Sequence, residues 1–295
     1  MHSSDQMPMF IGVAASLGAA LCWTATAALL KVGSSKYQPI TANAFRVTAG
    51  AVGSILLVLF AGEANVFLNP DWRAFTLAFL AGFLGIVIGD TLYIYALKSV
   101  GVARAMPVAN TYPLFSTLGA FLFLGEEITP HIVVGALLII LGLWLISPKG
   151  EGKSSFTVKN FFLTLSCAPI WGAGILLLSY ALNYYSFLAL NAVRLPLIAL
   201  ILIGFAYSRG YNPIRLDRRA LLVLGLAGIL GLSVGNALFL LGIDSIGVAR
   251  AVPLSSISPI FSTIVGNVFL HERVTLKVYL SAVLVVIGII QVTIG

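Results

Sequence analysis

Residues 101–129 read GVARAMPVANTYPLFSTLGAFLFLGEEIT, and residues 247–275 read GVARAVPLSSISPIFSTIVGNVFLHERVT. Both open on Gly-Val-Ala-Arg-Ala. They then share Pro107 and Pro253, Pro113 and Pro259, Phe115-Ser116-Thr117 and Phe261-Ser262-Thr263, Glu126 and Glu272, and Thr129 and Thr275. Hydrophobicity alone does not set prolines, glutamates and a Phe-Ser-Thr triplet in one register. The chain is an internal duplication with its copies 146 positions apart, and a repeat has to be understood before any single residue.

The composition sets the solvent. Hydrophobic residues make up 59% of the chain and charged residues 9%, and mean hydropathy is +1.04, whereas soluble domains carry about 25% charged residues. Apolar runs of about 20 residues, the length that crosses a bilayer as a helix, recur from end to end. They are continuously apolar, unlike the alternating strands of a membrane β-barrel. Turn and charge clusters divide them into ten spans: 9–30, 39–61, 72–96, 100–124 and 130–147, then 157–182, 186–207, 219–242, 246–270 and 275–294. The N-terminal MHSSDQMPMF has no positive n-region, so the first span is expected to stay in the mature chain. The longest hydrophilic stretches, SPKGEGKSSFTVKN and SRGYNPIRLDRR, are too short for a soluble domain. Cys22 and Cys167 each lie within a span without metal-ligand spacing, so they read as small buried apolar residues, and no metal or cofactor is expected. The net charge of +7 sits in loops, where lipid headgroups and topology account for it without nucleic acid.

Five spans per copy is an odd number. Copies that fold alike then enter the bilayer from opposite sides, and inverted repeats of this kind are a device of transporters with a site near the midplane. The charges agree. The odd-numbered loops hold most of the basic residues, among them Lys31, Lys36, Lys149, Arg209, Arg218 and Arg273, while the opposite face holds Arg73 and Arg250. Equivalent positions carry opposite character: Lys98 against Asp244, Glu127 against Arg273, His131 against Lys277. Under the positive-inside rule both termini then lie outside the cytoplasm. The expected fold class is an all-α polytopic membrane protein with ten transmembrane helices, arranged as two inverted five-helix repeats around a central cavity. Residues 1–147 are the first repeat, 148–160 a linker, and 161–295 the second, whose span 6 starts near 157.

Polar groups inside the spans single out candidate site residues. Pro113 and Pro259 lie near the middle of spans 4 and 9, where each removes a backbone hydrogen bond and kinks its helix. A bilayer tolerates this where hydroxyls, neighbours or water satisfy the freed carbonyl. Asn110, Pro113 and Thr117 share one helical face, and Ser256, Pro259 and Thr263 repeat it. Such a stripe is a cavity wall or ordinary packing through small residues. Asp90, in GIVIGDTLYIYAL, lies about three-quarters through span 3, and its repeat partner is Asn236. Intramembrane carboxylates are costly and mark ion or proton relays. Asp90 is therefore the candidate coupling group, with neutralisation of an arginine as its alternative role. Tyr93, one turn on, is in reach as a donor.

Other repeated residues read more plainly. Arg46 and Arg194 hold matching places in spans 2 and 7, close enough to helix starts to snorkel or to anchor a neighbouring helix. Binding an anionic substrate group is the other option. Trp23 and Trp171 match in spans 1 and 6, deeper than an interfacial belt requires. Glu126 and Glu272 are expected to stabilise the tight turns into spans 5 and 10, with Thr129-Pro130 an N-cap followed by a first-position proline. Gly82, Gly85 and Gly89 recur as Gly228, Gly231 and Gly235, a face that lets another backbone approach closely.

These residues resemble the drug/metabolite transporter superfamily, in particular its ten-helix EamA-type members. The resemblance covers nearly the whole chain. It rests on the two five-helix halves, the arginine in the second helix of each, and the ending YPLFSTLGAFLFLGEEIT; in FLHERVT, His271 stands where that ending has glycine. The resemblance implies two inverted repeats around a cavity lined mainly by the third, fourth, eighth and ninth helices. It also implies export or exchange of small metabolites, often amino acids, by alternating access. The residues here that match those helices are Asp90, Tyr93, Asn110, Ser116, Asn236, Ser256 and Ser262. Family members are generally placed with both termini in the cytoplasm, opposite to the charge count.

The expected function is a secondary transporter of amino acids or related neutral, zwitterionic or amphipathic solutes, working as an exporter or exchanger. Trp23, Tyr93, Asn110, Ser116, Asn236, Ser256 and Ser262 are the substrate-binding candidates, Asp90 the coupling group, and Pro113 and Pro259 the kinks. A multidrug or cationic-compound efflux carrier is the alternative that Asp90 keeps open, and a channel-like pore is the alternative from another class. The chain does not read as an enzyme: it has no H-E-x-x-H and no nucleophile elbow, and His2, His131 and His271 stand beside no intramembrane serine. No G-x-x-x-x-G-K-[ST] is present for nucleotide binding. The expected partners are a small-molecule substrate, membrane lipids and protons, with no nucleic acid, and the expected state is a monomer or dimer in the plasma or inner membrane.

Overall fold

The computed structural model describes residues 3–33, 36–90, 92–93, 96, 108–109, 111–146, 158–213, 215–257, 261 and 276–294, and among these there is no strand. A bilayer leaves no water for backbone groups, so each apolar run closes its hydrogen bonds within itself as a helix. The first half contains α1 (Ser3–Gly33), α2 (Pro39–Phe60), a short α3 (Asn65–Leu68), α4 (Trp72–Gly82), α5 (Tyr112–Gly119) and α6 (Pro130–Ile146). The second contains α7 (Val158–Leu165), α8 (Cys167–Ala181), α9 (Phe187–Ser208), α10 (Arg218–Gly228), α11 (Asn236–Ile246), α12 (Val248–Ser255) and α13 (Leu276–Ile294). Among the described residues six stretches are long and apolar enough to span a membrane: Met7–Thr26, Ile40–Phe60, Trp72–Gly89, Lys159–Ala181, Phe187–Ser208 and Arg218–Ile246. The molecule is a multi-pass helical membrane protein.

α4 and α10 do not stop at their glycines. Each continues through a π-helical segment, Phe83–Gly89 and Ile229–Gly235, at matching places in the two halves. A π turn carries its N–H to the carbonyl five residues back and widens the helix locally. Here the Asp90 amide bonds Gly85 O and the Asn236 amide bonds Gly231 O. α5 also ends in a π segment, Ala120–Leu124, which stops at Gly125 with φ 70°. A left-handed residue at that point favours glycine, which has no Cβ to clash.

Aspartates start α4 and α10. Asp71 accepts from the amides of Arg73 and Ala74, and Asp217 from that of Ala220, satisfying donors that a helix start leaves unpaired. Tyrosines from the opposite halves reach both caps. The Tyr185 hydroxyl donates to Asp71 O at 3.1 Å, and the Tyr37 hydroxyl donates to Asp217 Oδ2 at 3.0 Å. Burial pushes the Tyr185 hydroxyl above its ordinary pKa. The Ala220 amide, with the Tyr37 hydroxyl, holds the Asp217 carboxyl below its ordinary range.

The helices pack by exchange between the halves. α1 lies along α10, its π segment, α11 and α12, all in the second half. Reciprocally, α8 lies along α4, its π segment and α5, all in the first. α2 crosses α9 and α10, α9 crosses α4, and α6 pairs with α13. Small residues permit the close approaches. A Cβ on Gly135 would sit 2.7 Å from Gly288 O, and one on Gly288 2.8 Å from Gly135 O, so α6 and α13 meet backbone to backbone. Ser281 Oγ donates to Gly142 O along the same seam. The outer faces carry exposed Leu141, Trp144, Val283 and Val286, side chains that acyl chains can solvate.

Candidate functional site

The site is built where the π segment of α4 meets α2 and α8. Arg46, on α2, gives Nε and NH2 to Asn43 Oδ1 at 3.1 and 2.8 Å, one turn back on the same helix. This fork leaves its other edge directed at Asp90, with NH2 to Oδ2 at 3.6 Å. On α8, Trp171 Nε1 donates to both Gly85 O at 3.1 Å and Asp90 Oδ1 at 3.2 Å. Gly85 O also takes the π-turn amide of Asp90, so the indole fixes the turn and the carboxylate together. Gly89 has to be glycine for this: a Cβ there would sit 2.6 Å from Trp171 Nε1.

Two phenol rings complete the surroundings. Tyr93 stands edge-on to Trp171 with centroids 5.3 Å apart, and Tyr112 does the same at 5.9 Å. The pair is buried but not sealed, since the Asp90 side chain keeps 30% of its surface and that of Arg46 14%. An accessible, charge-balanced acid–base pair flanked by aromatic rings can hydrogen-bond a small polar solute while the rings cover its apolar faces.

The second half repeats the frame with a different centre. Trp23 Nε1 donates to Gly231 O at 3.2 Å, the counterpart of the Trp171–Gly85 bond, and its ring packs on Phe239 at 5.2 Å. Arg194 gives NH2 to Asn191 Oδ1 at 3.1 Å, as Arg46 does to Asn43. Asn236, buried, takes the place of Asp90. Each tryptophan therefore serves the π turn of the half it does not belong to.

The structure gathers Asp90 and Tyr93 around Trp171, and sets Trp23 and Asn236 in the matching frame of the other half. Ser116 and Ser256 are fully or nearly fully buried and donate to carbonyls of their own helices, Pro113 O at 3.1 Å and Pro253 O at 2.7 Å. Pro113 lies in the first turn of α5 and is buried. Asn110, Pro259 and Ser262 lie outside the described residues. Asp90 faces Arg46, and its donor is Trp171. Sequence reasoning passed over Asn43, Asn191 and Tyr112. The spacing Asn-x-x-Arg at 43–46 and 191–194 was the available signal for the first two. The role expected for Glu126 needs correcting. Its carboxylate does not serve the turn into α6; it accepts the Val248 and Ala249 amides at 2.7 and 2.8 Å, capping α12 in the other half. Thr129 is the cap of α6, accepting from the Ile132 amide.

Comparisons with known proteins agree with one another. The profile described as the EamA-like transporter family matches residues 10–147 and 159–294. A protein of Archaeoglobus fulgidus named as an uncharacterized transporter is 28% identical over 278 residues, covering 93% of this chain and 95% of its own. The glucose uptake protein of Staphylococcus xylosus is 24% identical over 267 residues, covering 87% and 88%. A crystal structure superposes with a TM-score of 0.81 at 20% identity, covering 96% of this chain and 98% of that one, a likeness of fold.

Proposed function

The chain belongs to the EamA-like transporter family, and on that premise we propose that it is a secondary carrier of a small neutral or zwitterionic solute. In this reading two inverted five-helix repeats alternate access to a site at Asp90, Arg46, Trp171, Tyr93 and Tyr112. One observation carries it: an accessible carboxylate–guanidinium pair, pinned by an indole to a π turn, at the end of the membrane-spanning stretch Trp72–Gly89. Membrane-embedded charges are retained where a transported solute or proton uses them.

Balanced charge favours a solute with no net charge. A monosaccharide leads, since aromatic faces and a carboxylate–guanidinium pair suit a polyhydroxylated ring and the Staphylococcus relative is named for glucose uptake. Amino acids come second, their opposite charges matching the pair. Efflux of cationic compounds is less well supported, because the acid it would need already faces Arg46. Asp90 is the proton-linked group in this proposal, and the basic loops are taken to face the cytoplasm. The carrier is not an enzyme, as its family and relatives are transporters.

The test is counterflow in proteoliposomes, with unlabelled sugars and amino acids screened for accelerating labelled uptake. Wild type is expected to exchange one of these classes saturably. Asp90→Asn is expected to lose accumulation driven by a pH gradient while keeping exchange. Failure of every solute in folded, reconstituted protein, or pH-driven accumulation that survives in Asp90→Asn, would contradict the respective part.

A further inference from the structure

The duplicated Asn-x-x-Arg element is treated differently in the two halves. Arg46 faces the Asp90 carboxylate. Arg194 is 5% exposed, donates from NH2 to Asn191 Oδ1, and keeps an Nε that is buried with no partner among the described residues. Where the first half supplies Asp90, the second supplies the amide Asn236. Among the described residues no carboxylate lies within ion-pair distance of Arg194.

A second unmet group belongs to a residue that the same asparagine holds. Asn191 Nδ2 donates to Ser54 Oγ at 3.0 Å, Leu232 O at 2.7 Å and Ser233 O at 3.3 Å, fastening α9 to α2 and to the π segment of α10. Ser233 Oγ is likewise buried without a partner among the described residues. Arg194 and Ser233 are thus each one hydrogen bond from the same asparagine, and each has a donor to spare.

A guanidinium does not escape such burial by losing its proton, and a buried, unbalanced charge is strongly unfavourable. We propose that Arg194, Asn191 and Ser233 form a binding site for a small monovalent anion, a halide or a carboxylate, between α2, α9 and the π segment of α10. The anion supplies to the second half the negative charge that Asp90 supplies to the first. This site is separate from the solute reading above, and its test reads stability rather than transport.

The test measures the thermal unfolding of the purified protein in neutral detergent at constant ionic strength, with sodium isethionate replaced stepwise by chloride, bromide or acetate. Wild type is expected to gain on the order of 5 °C in Tm with saturation, as binding to the folded state alone requires. A rise with chloride and bromide but not acetate assigns the site to inorganic anions. A rise with acetate alone assigns it to the carboxylate of an organic solute. Asn236→Asp restores the repeat's own counter-charge, and is expected to raise Tm in isethionate and abolish the anion-dependent shift. Arg194→Gln is expected to lose the shift as well. A wild-type Tm indifferent to all three anions overturns the proposal, and so does a shift that persists in Asn236→Asp. The latter variant decides the matter if Arg194→Gln does not fold.

Discussion

At Trp171 a single N–H is shared between the Gly85 carbonyl and Asp90 Oδ1, whereas the matching N–H of Trp23 has Gly231 O. Substituting phenylalanine keeps a ring in each place and removes the donor. Each of Trp171→Phe and Trp23→Phe is expected to cost about 1 kcal/mol, the net worth of one hydrogen bond, readable in thermal unfolding. Only Trp171→Phe should also change pH-driven accumulation, because it alone releases the carboxylate; equal effects of the two on coupling would deny Asp90 its role. Asp217 gives a pH-dependent counterpart at the helix start. Its folded carboxyl is held below the ordinary range by the Ala220 amide and the Tyr37 hydroxyl. That contribution is therefore present above the unfolded pKa and lost as pH falls through the lowered folded value. Asp217→Asn should lose less Tm than wild type across that acid interval, and identical acid profiles would refute the cap's role.

Between elements, the Glu126 contact shows what position in a loop conceals. Its carboxylate crosses from the end of α5 to the first amides of α12, where a negative charge also meets the positive end of the helix dipole. Gly247 makes room for it, with φ 77° and a Cβ position only 2.8 Å from Glu126 Oε2. Glu126→Gln is expected to cost about 1 kcal/mol. Gly247→Ala should cost more, since it adds backbone strain to a steric conflict; the order is checked by the two unfolding midpoints. Nothing in GEEIT announces this partner, 122 positions away, and the local turn was the nearer explanation. The existence of the six described membrane-spanning stretches, by contrast, was legible, because apolar length and bilayer thickness fix it together. The π segments were not: a run of glycines permits close packing equally well in a regular helix, and the indole that selects the wider turn comes from the other half.

For the whole molecule, the exchange of helices matters more than their number. Duplication was legible because prolines and glutamates recur in register, yet a repeat says nothing of which copy's helices touch. The packing forms two groups that ignore the boundary between repeats, α1 with α10, α11 and α12, and α8 with α4 and α5, with α2 and α9 packed on each other and joining them. The paired hydrogen bonds Trp23–Gly231 and Trp171–Gly85 run within these groups, while Glu126 runs between them. If alternating access works by rocking one body on the other, bonds within a body persist through the cycle. α1 and α11 test this where a Cβ on Gly12 would lie 3.1 Å from Ile246 Cβ, close to the span of a disulfide. With Cys22 and Cys167 replaced, oxidation of the double variant Gly12→Cys, Ile246→Cys is expected to leave counterflow at its reduced rate. Arrest on oxidation with recovery on reduction would mean that α1 slides on α11 during transport, and the moving bodies would then have to be drawn along the repeats instead of across them.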